Sequence, residues 1–224
     1  MNLFVIVPIY NEENRAVETI KKILEVDKSI KIIAIDDGST DDSLKVLNNN
    51  FEKNKRVIIS NHIVNLGKGA AMKTGLKIAW KLGGEAVIFV DADGQHNPKY
   101  LSKFIEELDN YPVVFGYREL DKNSPWIRRN GNKFAGWLIG NLFNIKKRDL
   151  LCGFLGFRKK VYKKIKWESC RYGIETEMAT KVGHNKIPFS EIKIDTIYID
   201  KYKGVTIFDA FKILGKIPFW YFSK

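Results

Sequence analysis

Cysteine is scarce: Cys152 and Cys170 are the only two among 224 residues, with no C-x-x-C pair and no histidines at ligand spacing. That excludes a disulfide framework and a structural zinc site, and makes a reducing, cytoplasmic setting the expectation. Long apolar runs are missing too. Nothing approaches the roughly 18 consecutive apolar residues of a membrane span, so any meeting with a membrane is expected at its surface. Met1 leads directly into the strand-like LFVIVP, without the charged region, apolar core and small-residue cleavage site of a signal peptide. There is no Pro/Gly/Ser-rich linker, internal repeat or low-complexity tract, and a chain of this length is expected to form one sizeable domain. Acids are outnumbered, 26 against 38 lysines and arginines, for a net charge of +12. That balance favours anionic partners such as nucleotides, phospholipid headgroups or nucleic acid without choosing among them.

What is present is an alternation. LFVIVP is followed by Val17, Ile20 and Leu24 at helical spacing; IKIIAI by Leu44 and Leu47; RVIIS by Met72, Leu76 and Ala79; AVIFV by Leu101, Phe104 and Leu108; and then comes VVFG. Repeated β-α units predict a mostly parallel sheet covered by helices on both faces, and such sheets bind ligands at the carboxyl ends of their strands. The polar residues just past each run are therefore the candidate functional ones: PIYNEE, DDGSTDD, NLGKG, DADGQH and Tyr117-Arg118. Beyond residue 118 the pattern loosens into a basic IRRNGNK, a helix-like FAGWLIGNLF, a strand-like DLLCGFLGFR, a GIETEMATKV helix and a strand-like EIKIDTIYI.

The string FVDADGQHNP poses the sharpest question, because two acids one residue apart end a buried strand and would repel each other unless something positive lies between them. Asp91 and Asp93 suit Mg2+ or Mn2+, which take one or two carboxylates together with a substrate diphosphate, and the Gln95 amide could add an oxygen. The same residues read equally well as a solvated turn, and His96 as a polar loop residue. Asp36 and Asp37 end the second strand in the same way. A carboxylate there could accept from the ring N–H of a uracil or guanine base, or the segment could simply start a helix with Asp41 or Asp42 as N-cap. NLGKGAAMKTG is not a P-loop, lacking Gly-Lys-[Ser/Thr] at the right distance, and not G-x-G-x-x-G, because Met72 stands where the third glycine belongs.

Together VIVPIYNEE, IAIDDGSTDDS, NLGKGAAMKTGL and VDADGQH, in this order, resemble the family 2 glycosyltransferases of GT-A fold, and among them the dolichyl-phosphate mannose synthase group. The resemblance spans roughly residues 3–206, most firmly to 118. It implies an α/β fold of three layers, α/β/α, with a mostly parallel Rossmann-like sheet over residues 1–206. The activity it implies is metal-dependent, inverting transfer of a sugar from a nucleotide-diphosphate sugar to a polyprenyl phosphate. By the same resemblance Pro8, Tyr10 and Glu12 line the nucleotide pocket, Asp37 reads the base edge with Asp36 also at the nucleotide-sugar site, Lys68 reaches toward the donor, and Asp91, Asp93 and Gln95 hold the cation, Mg2+ or Mn2+. Arg118 and Arg128 steer the acceptor phosphate with Arg129 and Asn132, where Asn132 replaces the family's serine. The late R-x-x-G-x-S-K stretch here reads KYKGVTI, so Lys201 replaces its arginine.

A phosphate acceptor needs no general base, because it is already anionic at neutral pH, and arginines suit it. A glycan or glycolipid hydroxyl would need a base, for which Glu175 or Glu177 could serve; both are expected instead as surface charge on a helix. A basic nucleic-acid-binding module fits the net charge, but its strand-end acids would oppose a phosphate backbone, so no nucleic-acid partner is expected. Residues 207–224 place Ile207, Phe208, Phe211, Leu214 and Ile217 at helical spacing with lysines opposite and FWYF after Pro218. That is the pattern of an amphipathic helix at a membrane interface, or of one docked on the domain. The expected setting is peripheral, at the cytoplasmic membrane face, and relatives that continue into membrane spans raise the idea of a membrane-embedded partner.

Overall fold

Apolar side chains fill all seven positions of β1 (Leu3–Ile9), and all seven are buried, as a strand covered on both faces requires. The computed structural model describes residues 1–119, 136, 139–170, 173–195 and 215. Alternate β1 residues serve opposite layers. Phe4 and Ile6 pack with Met72 and Leu76 of α3 (Lys68–Lys81), while Val5, Val7 and Ile9 pack with Ile20 and Ile23 of α1 (Ala16–Val26). The remaining strands are β2 (Lys31–Asp36), β3 (Val57–Asn61), β4 (Ala86–Phe89), β5 (Val113–Arg118), β6 (Leu155–Arg158) and β7 (Phe189–Ile194). They form one sheet in the order β3-β2-β1-β4-β6-β5-β7. Every pairing is parallel except those of β6, which runs antiparallel to β4 and β5. The helices α2 (Ser43–Phe51) and α4 (Leu101–Asn110), α5 described over 139–143, a short α6 (Tyr162–Ile165) and α7 (Ile174–His184) complete the described chain.

The mostly parallel α/β sheet expected from the alternating runs is thus what forms, and its order reverses between β1 and β4, where ligands of such sheets collect. β6 matters for the same reason. Because it is antiparallel, with Leu155 opposite Phe89, the turn that precedes it arrives at the same sheet edge to which β4 delivers Asp91. The strand-like reading of DLLCGFLGFR therefore holds only for Leu155–Arg158, and residues 149–154 are the turn that reaches the site.

The loops after β1 and β2 are latched together. Asn11 and Glu12 donate their N–H groups to Ser39 Oγ (3.0 Å) and Ser43 Oγ (2.8 Å), and Asn11 Oδ1 accepts from Thr40 N–H (2.9 Å). Asp42 is the N-cap residue of α2, yet its side chain makes no cap bond, and Asp41 Oδ1 accepts from Ser43 N–H instead. Gly38 has φ +68° and packs against the backbone of Val64 and Asn65, so a side chain there would push the β2 and β3 loops apart. The division into residues 1–206 and an amphipathic 207–224 turns on residues outside the described ones. No helix among the described residues is long and apolar enough to cross a membrane.

Candidate active site

Asp91, the first of the two acids past β4, meets a positive group, and that group belongs to the protein. Lys68 Nζ lies 2.6 Å from Asp91 Oδ1 and 2.8 Å from Glu175 Oε1, so α3, β4 and α7 converge on one ammonium. Burial alone would lower the pKa of Lys68, but the charges of Asp91 and Glu175 outweigh it and hold the group well above the ordinary lysine range. Burial likewise works against ionised Asp91, but Lys68 together with the other positive groups nearby outweighs it and keeps that carboxyl below its usual range. Asp93 goes the other way, raised by burial and by the charge of Asp91. Its Oδ1 accepts from Gln95 N–H at 3.0 Å. The turn is fixed from behind by α1, where Thr19 Oγ1 donates to the Ala92 carbonyl at 3.2 Å.

Among the described residues no three His, Cys, Asp or Glu side chains cluster as a ready metal site. Two carboxylates nevertheless suffice for a hard cation that shares its shell with a diphosphate and water. Two further features fit such a cradle. His96, on the loop past β4, is buried with Nδ1 unpartnered, 3.9 Å from Asp91 Oδ2, and its ring packs on Phe154. Burial lowers its pKa, which favours the neutral ring. At Gly153, a Cβ would lie 2.5 Å from Asp91 Oδ2 and 2.7 Å from Lys68 Nζ, so the space beside the carboxylate exists only because this residue is glycine. Gly153→Ala is expected to lower turnover about 10²-fold, since misplacing a reacting constellation by about an ångström has that effect. Steady-state rates beside an unchanged circular dichroism spectrum check it.

Glu175 and Glu177 correct the expectation of surface charge. Both lie in the first turn of α7, and both are buried because each is satisfied internally. Glu175 pairs with Lys68, whereas Glu177 accepts from Glu168 N–H (2.8 Å) and Ser169 N–H (3.0 Å) and pairs with Lys181 (2.9 Å). Those bonds outweigh burial and hold Glu177 below the usual range, so it is a structural acid without the character of a general base.

Asp37 is also committed. Its Oδ1 accepts from Leu66 N–H (3.1 Å) and lies 2.6 Å from His62 Nδ1, and its Oδ2 accepts from Gly67 N–H (2.7 Å) at the start of α3. The anion at the α3 N-terminus is thus the protein's own. Asp36 differs: its Oδ2 accepts from Ser39 N–H, while its buried Oδ1 has no partner. Pro8 is buried within β1, Tyr10 is exposed on the loop that follows, and Glu12 pairs with Arg15 at 3.6 Å.

Arg118 ends β5, where Asp149 grips it: Nε donates to Oδ2 (2.7 Å), Nη2 to Oδ1 (3.3 Å), and its backbone N–H to Oδ2 (3.2 Å). Asp149 was not singled out in the sequence, where the available signal was a lone acid in the basic stretch KKRDLL. Nearby, Lys147 is buried with its Nζ lacking a hydrogen-bond partner and lying 4.3 Å from the Phe115 ring centroid. Both cysteines are free, and burial pushes the Cys152 thiol up to about 11. Arg128, Arg129, Asn132 and Lys201 lie outside the described residues.

A mostly parallel sheet with paired acids, a lysine and an arginine at its carboxyl edge agrees with the GT-A glycosyltransferase fold that the motifs led one to expect. The chain belongs to glycosyl transferase family 2, whose model matches residues 4–166. An uncharacterized protein of Methanocaldococcus jannaschii is 33% identical over 96% of this chain and 90% of its own length. The UDP-N-acetylglucosamine–dolichyl-phosphate N-acetylglucosaminyltransferase of Methanococcus voltae is 30% identical over 96% of this chain and 94% of its own. Among solved structures, glucosyl-3-phosphoglycerate synthase of Mycobacterium tuberculosis, in complex with Mn2+, UDP and phosphoglyceric acid, superposes with a TM-score of 0.77. It is 15% identical and covers 99% of this chain and 78% of the synthase, a likeness of fold.

Proposed function

We propose that this enzyme transfers a sugar from a nucleoside-diphosphate sugar to a polyprenyl phosphate. The carrying observation is how the acids around the cradle are committed. Asp149 is held by Arg118, Glu177 by two backbone N–H groups and Lys181, and Glu175 by Lys68. A hydroxyl nucleophile would have to recruit a base from paired groups, whereas a phosphate monoester needs only positioning and positive charge. Arg118 supplies the positioning, because Asp149 fixes its guanidinium. The M. voltae relative is named for a dolichyl-phosphate acceptor, which agrees.

In this reading Asp91 and Asp93, with Gln95, would hold a divalent cation, which when bound supplies Lewis-acid compensation for the leaving diphosphate. Tyr10 and Asp36 meet the nucleoside, and Arg118, joined by Arg128, Arg129 and Asn132, orients the acceptor. One acceptor phosphate oxygen bonds to the anomeric carbon as the bond to the diphosphate oxygen breaks with inversion. The nucleoside diphosphate leaves, and no proton has to be moved. The enzyme works at the cytoplasmic membrane surface, where its lipid acceptor resides.

The test is a panel of UDP- and GDP-sugars with Mn2+ or EDTA, read first as thermal stabilisation. At about a hundred times the dissociation constant the matching donor is expected to raise the melting temperature by roughly 5–10 °C, and only with metal. The matching donor is then offered a short-chain polyprenyl phosphate or the corresponding alcohol. Transfer to the phosphate alone is expected. Transfer to the alcohol, abolished by Glu175→Gln, would overturn the phosphate assignment in favour of a hydroxyl acceptor.

A further inference from the structure

Lys68 occupies an unusual place: it neutralises a carboxylate that the proposed function reserves for a divalent cation. Its backbone cannot retreat easily. Asp37 Oδ2 holds Gly67 N–H at 2.7 Å, and the Cys170 carbonyl holds Gly69 N–H at 2.7 Å, so both neighbours of Lys68 are tied. The side chain, by contrast, has two acceptors on different elements, Asp91 at 2.6 Å after β4 and Glu175 at 2.8 Å in the first turn of α7. The space beside them is kept open by the missing side chain of Gly153. A cation that approaches Asp91 must share one carboxylate with an ammonium, and two like charges on one acceptor repel each other.

We propose that Lys68 is an internal counter-ion that competes with the divalent cation for Asp91, and that Glu175 is the second anchor that retains Lys68 when the cation takes Asp91. The inference rests on the reading of Asp91 as a cation ligand. Its consequence is an order of binding. Without nucleotide Lys68 already occupies Asp91, and metal alone binds weakly. A donor diphosphate brings enough negative charge for both cations, so metal and donor bind together. Lys68 thereby ties metal affinity to the presence of the donor, beyond any contact it makes to the donor itself.

The experiment measures free Mn2+ by electron paramagnetic resonance during titration of the full chain, with and without UDP or GDP. Lys68→Met is expected to bind Mn2+ alone about tenfold more tightly than the wild type, with a smaller further gain from nucleotide, because one neighbouring positive charge is gone. Lys68→Arg, which keeps the charge, is expected to behave as the wild type. Equal or weaker Mn2+ binding by Lys68→Met would overturn the proposal. If no form bound Mn2+ even with either nucleotide, the cation-site reading itself would fall, which is a separate result. Should Lys68→Met not fold, the unaltered protein decides: the Lys68 ammonium 15N resonance is expected to move on Mg2+ titration, and a resonance unmoved at saturating Mg2+ would count against displacement.

Discussion

Asp91→Asn is expected to reduce sugar transfer on the order of 10³-fold while leaving the protein folded, the size of effect seen when a preorganised electrostatic group is removed from a transition state. The substitution keeps the shape of the side chain and removes only its charge. Lys68 retains Glu175 as a partner, so its partly buried ammonium is not stranded. The turn remains held by the Thr19 bond to the Ala92 carbonyl and by Val90 N–H donating to the Ile6 carbonyl at 3.1 Å. Asp93 by itself leaves the cation one carboxylate short of the pair assigned to it. The check is turnover at saturating donor, together with the metal-dependent thermal shift, which should vanish. Activity within about tenfold of the wild type would show that the leaving diphosphate is neutralised elsewhere.

Asp149→Ala is expected to be the most destabilising single change at the site, by about 3–5 kcal/mol, the usual consequence of stripping one partner from a buried ion pair. Asp149 accepts from the Arg118 side chain, from Arg118 N–H and from Leu151 N–H, so its loss frees the end of β5 and the turn before β6 together. Denaturant unfolding measures this. Asp149→Asn separates charge from shape and has a pH signature. Burial opposes ionisation of Asp149, but the Arg118 guanidinium outweighs it and holds the folded-state pKa below the ordinary value. A depressed carboxylate pKa contributes stability that is fully present above the unfolded value of about 4 and is lost as pH falls through the lower folded value. The stability gap between wild type and Asp149→Asn should therefore be constant near neutrality and close only in acid. A gap that closed at higher pH would mean that Asp149 is not held ionised by Arg118. Acceptor use should weaken in both variants, seen as a raised KM for polyprenyl phosphate with donor binding unchanged.

Much of this could be read from the chain because the elements that build the first part of the sheet are local. Five apolar runs with helical patterns between them made the alternating architecture legible, and α3 and α4 bury the residues whose spacing announced them, Met72, Leu76 and Ala79 and then Leu101, Phe104 and Leu108. α1 turned slightly, burying Ala16, Thr19, Ile20 and Ile23, which frees Thr19 to brace the Asp91 turn. The acids past β2 and β4 could be singled out because charge at the end of a buried strand needs a reason.

What stayed hidden was pairing between distant segments. Lys68 and Glu175 are 107 residues apart, and Arg118 and Asp149 are 31 apart. Glu175 and Glu177 looked like surface charge because helical spacing reports which face is apolar and cannot report that an acid on a buried helix has found its own donors. By itself, then, the sequence determined the family, the parallel alternating part of the sheet and the acids at its edge, since these follow from local periodicity and short motifs. Only the tertiary structure decided that Asp37 holds the segment entering α3, that Asp149 grips Arg118 and that Lys68 stands between Asp91 and Glu175. The physical reason is that antiparallel β6 and the buried α7 carry remote charges to one edge of the sheet, where desolvation makes every unpaired charge costly and so dictates the partners.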